Sequence, residues 1–111
     1  MIHVTPNGHS IMMKAIQSTA NSAHLMTEDG ELTGYGYRPM KIDPDQWVNG
    51  EYPKMVWEFS NGDPINVIGY YVVDENDSIL WSEQFTDGPQ EIKNTGDRIG
   101  VTIRLSLLAG A

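Results

Sequence analysis

Three groups of side chains in the sequence have the types needed for chemistry: histidines, a run of carboxylates and a set of aromatic residues. The histidines are His3, His9 and His24. No two of them have the spacing that places metal ligands together on one helix or strand, so they do not predict a zinc or nickel site. His3 and His9 fall in the amino-terminal segment and His24 in the middle of a predicted strand. We interpret all three as surface or core-edge residues.

The carboxylates are concentrated at positions 74–77, which read Asp-Glu-Asn-Asp. A calcium loop of the EF-hand type needs glycine at its sixth position and a bidentate glutamate at its twelfth, and this segment provides neither. We therefore predict a solvated turn between two strands and no metal ligands. A catalytic carboxylate pair stays open among the 15 acidic residues, although most of them fall in predicted loops or on outward-facing strand positions.

Signatures of nucleophilic catalysis and of phosphate binding are absent from the sequence. It contains no Gly-x-Ser-x-Gly elbow, and no serine falls in a predicted strand-to-helix turn. The segment Gly34-Tyr35-Gly36 opens a strand and not a helix, so it does not predict a phosphate-binding loop. Because the chain has no cysteine, thiolate metal sites, disulfides and a cysteine nucleophile are excluded. We expect a protein that is not an enzyme, with no catalytic residues and no cofactor.

The tryptophans divide into core residues and a candidate for contact with a partner. Trp57 and Trp81 alternate with apolar residues on predicted strands, so we assign both to the core. Trp47 lies in a loop beside Val48-Asn49-Gly50, where it is the best aromatic candidate for contact with a partner.

The elements that position these residues are one helix and a series of short strands. Ile11, Met12, Ala15 and Ile16 fall on one helical stripe after a candidate N-cap at Ser10, which predicts a helix over about residues 10–18. From Ser22 onward the apolar period changes to two, which predicts strands as far as about residue 107. These strands are Ser22–Thr27, Gly34–Ile42 (an edge strand or bulge, because of Pro39), Lys54–Ser60, Ile65–Val73, Ile79–Phe85 and Ile99–Leu107.

The fold class that follows is all-β. We predict an antiparallel β-sandwich or barrel of about six or seven strands with a short amino-terminal helix. With 111 residues, the chain has the length of a single domain, which we assign to residues 1–111.

The charge balance excludes several partner classes. Seven basic residues stand against 15 acidic ones, which gives a net charge of −8. Nucleic acids and anionic membranes are disfavoured as partners because both require clustered Lys and Arg. No apolar run approaches the roughly 20 residues that a membrane span needs. The first residues have no basic region followed by an apolar stretch, so we expect no secretory signal.

The segment Val67–Phe85, which reads VIGYYVVDENDSILWSEQF, resembles a pattern that is common in small structural proteins of tailed bacteriophages. In that pattern a Tyr-Gly-Tyr/Phe strand, a turn with Asp and a Leu-Leu-Trp-Ala-Glu-Arg-Phe strand follow one another. This chain departs from it with Ser82 in place of Ala and Gln84 in place of Arg, which makes the strand less basic. The resemblance extends from about residue 10 to residue 107 and rests mainly on Gly69-Tyr70-Tyr71, Asp74, Leu80-Trp81, Glu83 and Phe85.

The resemblance implies a virion component, and we expect a capsid decoration (cement) protein. Such a protein is made in the host cytoplasm, binds the outer surface of the major capsid protein lattice and stabilises the head. Its partners would be the major capsid protein or other virion proteins, with no nucleic acid and no membrane, and homo-oligomerisation stays open. A tail or head–tail connector component is the first alternative, and a carbohydrate-binding or adhesin β-sandwich module is a more distant one.

Within this interpretation, the partner-contact candidates come from the predicted helix and from two loops. Internal packing of the helix is an equally weighted alternative. The candidates are Ile11, Met12, Ile16, Trp47 and Pro89.

Overall fold

The computed structural model describes residues 4–105 of the chain. Its helices are α1, which spans Pro6–Thr19, and a short 3₁₀ helix, Pro44–Gln46. The strands are β1 (Ser22–Thr27), β2 (Gly30–Glu31), β3 (Met40–Lys41), β4 (Glu51–Glu58), β5 (Ile65–Val67), β6 (Gly69–Val73), β7 (Ile79–Gln84), β8 (Gln90–Ile92) and β9 (Arg98–Arg104).

The strands form three antiparallel sheets. The largest has the order β2-β1-β6-β7, with β3 also paired to β1, and the two smaller sheets are β4-β9 and β5-β8. The predicted β-rich fold with one amino-terminal helix is therefore confirmed. Within residues 4–105 the sheets do not close into a barrel. More strands form than predicted because β2 has two residues and β8 three, too few to show an apolar period, and because Ile65–Val73 forms two strands.

Helix α1 begins at Pro6 and not near Ser10 as predicted. Thr5 is the N-cap, and its side-chain Oγ1 accepts a hydrogen bond of 3.0 Å from the backbone N–H of Gly8. Pro6 fits the first turn, where its missing N–H would have no partner in the helix. The helix ends at Thr19, and the extended backbone of Ala20 leads into β1.

The core is a cluster of buried side chains contributed by all three sheets. In β4 and β9 the predicted alternation is confirmed: Met55 and Trp57 are buried opposite Val101 and Ile99. The indole Nε1 of Trp57 donates a hydrogen bond of 2.9 Å to the carbonyl oxygen of Arg38, so its polar atom is satisfied in the core. Leu25 from β1, Val72 from β6 and Ile92 from β8 are completely buried and join the sheets.

Several predicted strand bounds are corrected. The segment Ile65–Val73 divides at Ile68 into two strands that belong to different sheets. β5, before Ile68, pairs with β8, and β6, after it, pairs with β1 and β7. The segment Gly34–Ile42 forms a strand only at Met40–Lys41, and it begins with a turn in which Gly34, Tyr35 and Gly36 all have positive φ. The predicted last strand is formed as far as Arg104, and its predicted end at Leu107 lies outside the described residues.

Apolar alternation in Ile79–Phe85 predicts an inward face made of Ile79, Trp81 and Phe85. Trp81 and Phe85 do pack against the core, and Ile79 does not. The register of β6 and β7 shifts between two neighbouring pairs. Val72 pairs with Trp81 and Val73 with Ile79, so Leu80 has no partner in β6. This β-bulge changes the phase of the strand, because one added residue exchanges the two faces. Ile79, predicted to face inward, is consequently 65% exposed.

Candidate partner-binding surface

Exposed apolar side chains are concentrated on α1 and on the first half of β7. Ile11 is 60% exposed and Met12 47%, and Ile79 and Leu80 are 65% and 37% exposed. Single exposed apolar residues are ordinary, but several on adjacent elements indicate a contact surface. We refer to these residues together with the partly buried Ile16 and Trp81 as the α1–β7 surface.

A groove of about 540 Å³ joins the two elements of this surface. Ile16 lies on its helical side, Leu80 and Trp81 on its strand side, and Leu105 follows β9 into its wall. Ile11 and Met12 each precede a groove residue by four positions, Ala15 and Ile16 respectively, so they lie on the same face of α1.

The charged residues of the groove are one acid and one base. Glu83 and Arg104 both line it, and Arg104 also forms an exposed ion pair with Glu51 at 3.5 Å. The acidic character of the rest of the chain therefore does not extend into the groove.

Burial of Tyr70, which also lines the groove, raises the pKa of its phenol to about 12. Its hydroxyl oxygen accepts a hydrogen bond of 3.3 Å from the Nε1 of Trp81, and Glu83 opposes ionisation of the phenol. Tyr70 is therefore neutral at physiological pH.

Helix α1 is only weakly packed against the β sheets. Of its 14 residues, Met13 is the buried one, followed by Ala20 just after the helix. Helices of about 12–15 residues are marginal in water unless an apolar face is packed. The exposed side of α1 would therefore be stabilised by a surface that covers it.

Strand β7 is the edge of the largest sheet. It pairs with β6 on one side, and its second edge has no strand partner within residues 4–105. Open edges are places where another chain can add a strand, and the bulge at Leu80 interrupts this one.

The structure brings together some of the predicted partner-contact residues and separates others. Ile11, Met12 and Ile16 belong to the α1–β7 surface. Trp47 is partly buried: its ring lies 5.1 Å from that of Tyr52 and 6.5 Å from that of Trp81, both edge-to-face. The Nε1 of Trp47 is buried and has no hydrogen-bond partner in the described part of the chain. Pro89 is exposed between β7 and β8 and does not line the groove.

Sequence reasoning missed the contribution of β7 to this surface. Ile79 and Trp81 were expected to share an inward face, and Leu80 was not a candidate. The alternation assigns the wrong face only to Ile79, because nothing in the residue types marks the bulge.

The acidic segment 74–77 forms the turn between β6 and β7. One carboxylate oxygen of Asp74 accepts hydrogen bonds of 2.9 Å from the backbone N–H groups of Asn76 and Ser78. Asp74 thus closes the turn on itself, in the manner of an Asx turn. Across residues 4–105, no group of three or more His, Asp or Glu side chains has an arrangement that could hold a metal ion.

The comparisons with known proteins give no relative. No protein-family model matches the chain, and neither a curated protein nor a solved structure is significantly similar to it. None of the helices formed by residues 4–105 has the length and apolar character required to cross a membrane.

Proposed function

We propose that the chain is a structural protein of a tailed-bacteriophage virion, and specifically a capsid decoration protein that binds the outer surface of the major capsid protein lattice. The observation that carries this proposal is the α1–β7 surface, where apolar side chains on two adjacent elements are left exposed. The resemblance of Val67–Phe85 to small phage structural proteins supplies the kind of partner.

The charge distribution supports the same function. A net charge of −8 keeps such a protein soluble and repels it from DNA, so that it binds protein and not the packaged genome. The groove carries one charge of each sign, so a partner that covers it meets no net charge there. On this proposal the α1–β7 surface is covered when the protein is bound to the shell.

Energetically, a decoration protein stabilises a shell because it binds the assembled form and not the free subunits. Burying one large aliphatic side chain contributes about 1.5–3 kcal/mol, which corresponds to about 10-fold to 150-fold in affinity. Two or three such side chains, repeated at every lattice site, would provide substantial reinforcement.

The test is binding of the purified protein to expanded empty shells of the virus whose genome encodes it. We expect the protein to cosediment with the shells and to raise their thermal stability. Leu80→Glu and Ile11→Glu should each weaken binding by at least about 10-fold, because a charge would replace a buried apolar group. Val56→Glu is the matched control, since Val56 is also exposed, at 44%, but lies on β4.

Two outcomes would contradict the proposal. If the protein bound only to tails, in a few copies per particle, it would be a tail or connector component. If Val56→Glu weakened binding as much as Leu80→Glu, the contact surface would not be the α1–β7 surface.

A further inference from the structure

A serine, a histidine and a glutamate form a hydrogen-bonded chain on the outer face of the largest sheet. Ser22 and His24 are two residues apart on β1, so their side chains point to the same face. The Oγ of Ser22 lies 2.8 Å from Nε2 of His24. Nδ1 of His24 lies 2.5 Å from Oε2 of Glu31, on β2.

The partners of Glu31 and His24 fix the direction of these hydrogen bonds. The same Oε2 of Glu31 accepts a hydrogen bond of 2.6 Å from the hydroxyl of Tyr37, whose oxygen accepts one of 3.0 Å from the backbone N–H of Leu25. A carboxylate only accepts, so Nδ1 of His24 carries a proton and donates a hydrogen bond to Glu31. Nε2 then has a free lone pair for the hydroxyl proton of Ser22.

Packing holds the imidazole in this orientation. The rings of His24 and Tyr71 are stacked with centroids 4.9 Å apart and an angle of 11° between their planes. Burial and the hydrogen bond to Glu31 raise the pKa of Tyr37 far above its ordinary value, so Tyr37 stays a donor. Ser22 as a residue remains partly exposed.

A cation lies beside Ser22, and a cavity that Ser22 itself does not line lies beside its chain neighbour. Lys41 on β3 is directly opposite Ser22 in the β1–β3 register, which places the two side chains on the same face. No carboxylate of the described residues lies within 4.0 Å of its ammonium group. Lys41 and Asn21, the chain neighbour of Ser22, line a cavity of about 480 Å³ whose other wall includes Asp74 and Glu75.

We propose that Ser22 is an activated nucleophile that takes the acyl group of an activated carboxylic ester, with His24 as its general base and Glu31 as the residue that positions His24. The arrangement of nucleophile, base and carboxylate is that of the serine hydrolase triad. The net charge of −8 favours an uncharged ester over an anionic one. This inference goes beyond the structural role proposed above and does not depend on it.

The reaction consumes only the ester and water. The Oγ of Ser22 attacks the ester carbonyl carbon while its proton moves to Nε2 of His24, and the carbonyl oxygen becomes an anion stabilised by the ammonium of Lys41. The carbon–oxygen bond to the leaving group then breaks, and the departing alcohol takes the proton from Nε2. In the second stage a water molecule gives a proton to Nε2 and attacks the acyl-serine. The acid leaves, and Ser22 regains its proton.

The experiment uses p-nitrophenyl acetate as the probe, with release of nitrophenolate followed by absorbance and the acetyl group located by mass spectrometry. We expect acetylation at Ser22 and its loss in Ser22→Ala. Ser60→Ala is the matched control, since Ser60 is an exposed serine just after β4, and should react like the parent chain. His24→Ala should slow acylation by about 100-fold or more, and added imidazole should restore part of the rate.

The role of Glu31 has its own measurement. Glu31→Gln should lower kcat and leave KM nearly unchanged, because Glu31 orients His24 and does not touch the ester. Circular dichroism and thermal unfolding of each variant, with His24→Gln as a second replacement, separate loss of chemistry from loss of the fold.

Two results would overturn the proposal. One is acetyl transfer confined to lysines and the amino terminus, at the same rate in the parent chain and in Ser22→Ala. The other is an acylation rate at Ser22 that is unchanged in folded His24→Ala and His24→Gln. Either result would mean that the hydrogen-bonded chain only stabilises β1 and β2.

Discussion

Gly69, the first residue of β6, is the position where one added carbon should do the most damage. A Cβ built on Gly69 would lie 2.2 Å from the carbonyl oxygen of Glu83 and 2.9 Å from Cα of Gln84, both backbone atoms of β7. It would also lie 2.6 Å from the terminal methyl of Met26, which can rotate away. Because ordinary contacts begin at 3.4 Å, Gly69→Ala requires the backbone of β7 to move by more than 1 Å.

The size of the effect follows from the contacts that must change. Overpacking a well-ordered site costs about 1–3 kcal/mol, and each ladder hydrogen bond lost between β6 and β7 adds about 1 kcal/mol. We expect Gly69→Ala to lower the free energy of unfolding by about 3 kcal/mol. With an unfolding entropy of about 2.1 cal/mol/K per residue, this corresponds to a fall in Tm of roughly 13 °C.

Gly100 on β9 is the matched control. Its Cβ would lie 2.3 Å from Cε of Lys54, a clash that is as short as the one at Gly69 but involves the end of a flexible side chain. Lys54 can change rotamer, so we expect Gly100→Ala to change stability by no more than about 0.5 kcal/mol, or to stabilise slightly by restricting the unfolded chain. Urea unfolding followed by tryptophan fluorescence measures both variants. Equal effects of the two substitutions would refute the distinction between backbone and side-chain clashes on which the prediction rests.

Three further predictions concern polar groups. Trp57→Phe removes the donor that satisfies the carbonyl of Arg38, so it should cost about 1–2 kcal/mol in urea unfolding at neutral pH. Burial raises the pKa of Tyr70 from 10.0 to about 12. The neutral phenol therefore contributes fully to stability below pH 10, and this contribution declines as the pH rises toward 12. Tyr70→Phe should make the alkaline decline in stability less steep. Backbone N–H groups of Asn94 and Lys93 donate to Asp97 and hold its pKa below 3.8, so its contribution is present above that pH and is lost in stronger acid. Asp97→Asn should therefore make urea stability less dependent on pH between 2 and 5.

Each of these has a result that would contradict it. Trp57→Phe with parental stability would mean that water replaces the lost bond without cost. An alkaline decline that is identical in Tyr70→Phe would assign it to other groups, and an unchanged acid profile in Asp97→Asn would remove the role of its two hydrogen bonds.

The parts of the fold that could be predicted are strands with one buried face, because burial requires apolar residues at alternate positions. Apolar alternation predicts the bounds of β1, Ser22–Thr27. It also predicts the buried residues of β9, which are Ile99, Val101 and Ile103. The same alternation fails at Ile79 in β7, where a register shift leaves Leu80 as an extra residue. Helix α1 starts early because its signal, Thr5 followed by Pro6, lies ahead of the apolar stripe that defines the helix.

The candidate sites were predictable to different degrees. Ile11 and Met12 were identified as partner-contact candidates from helical spacing, although spacing does not say which side of a helix is packed. The pairing of His24 with Glu31 needs the register of β1 and β2, which places Glu31 opposite Met26. Asp29-Gly30 predicts the turn between them, but β2 is too short to reveal its register.

The weak packing of α1 has a consequence for any partner that binds it. When a binding-competent state is only partly populated, the apparent dissociation constant is the intrinsic one divided by the populated fraction. Solvent or temperature that unravels residues 6–19 would then weaken the complex even where every contacting side chain is intact. If the proposed function holds, attachment to a shell would complete the folding of α1, and a measured affinity would report helix formation as well as surface fit.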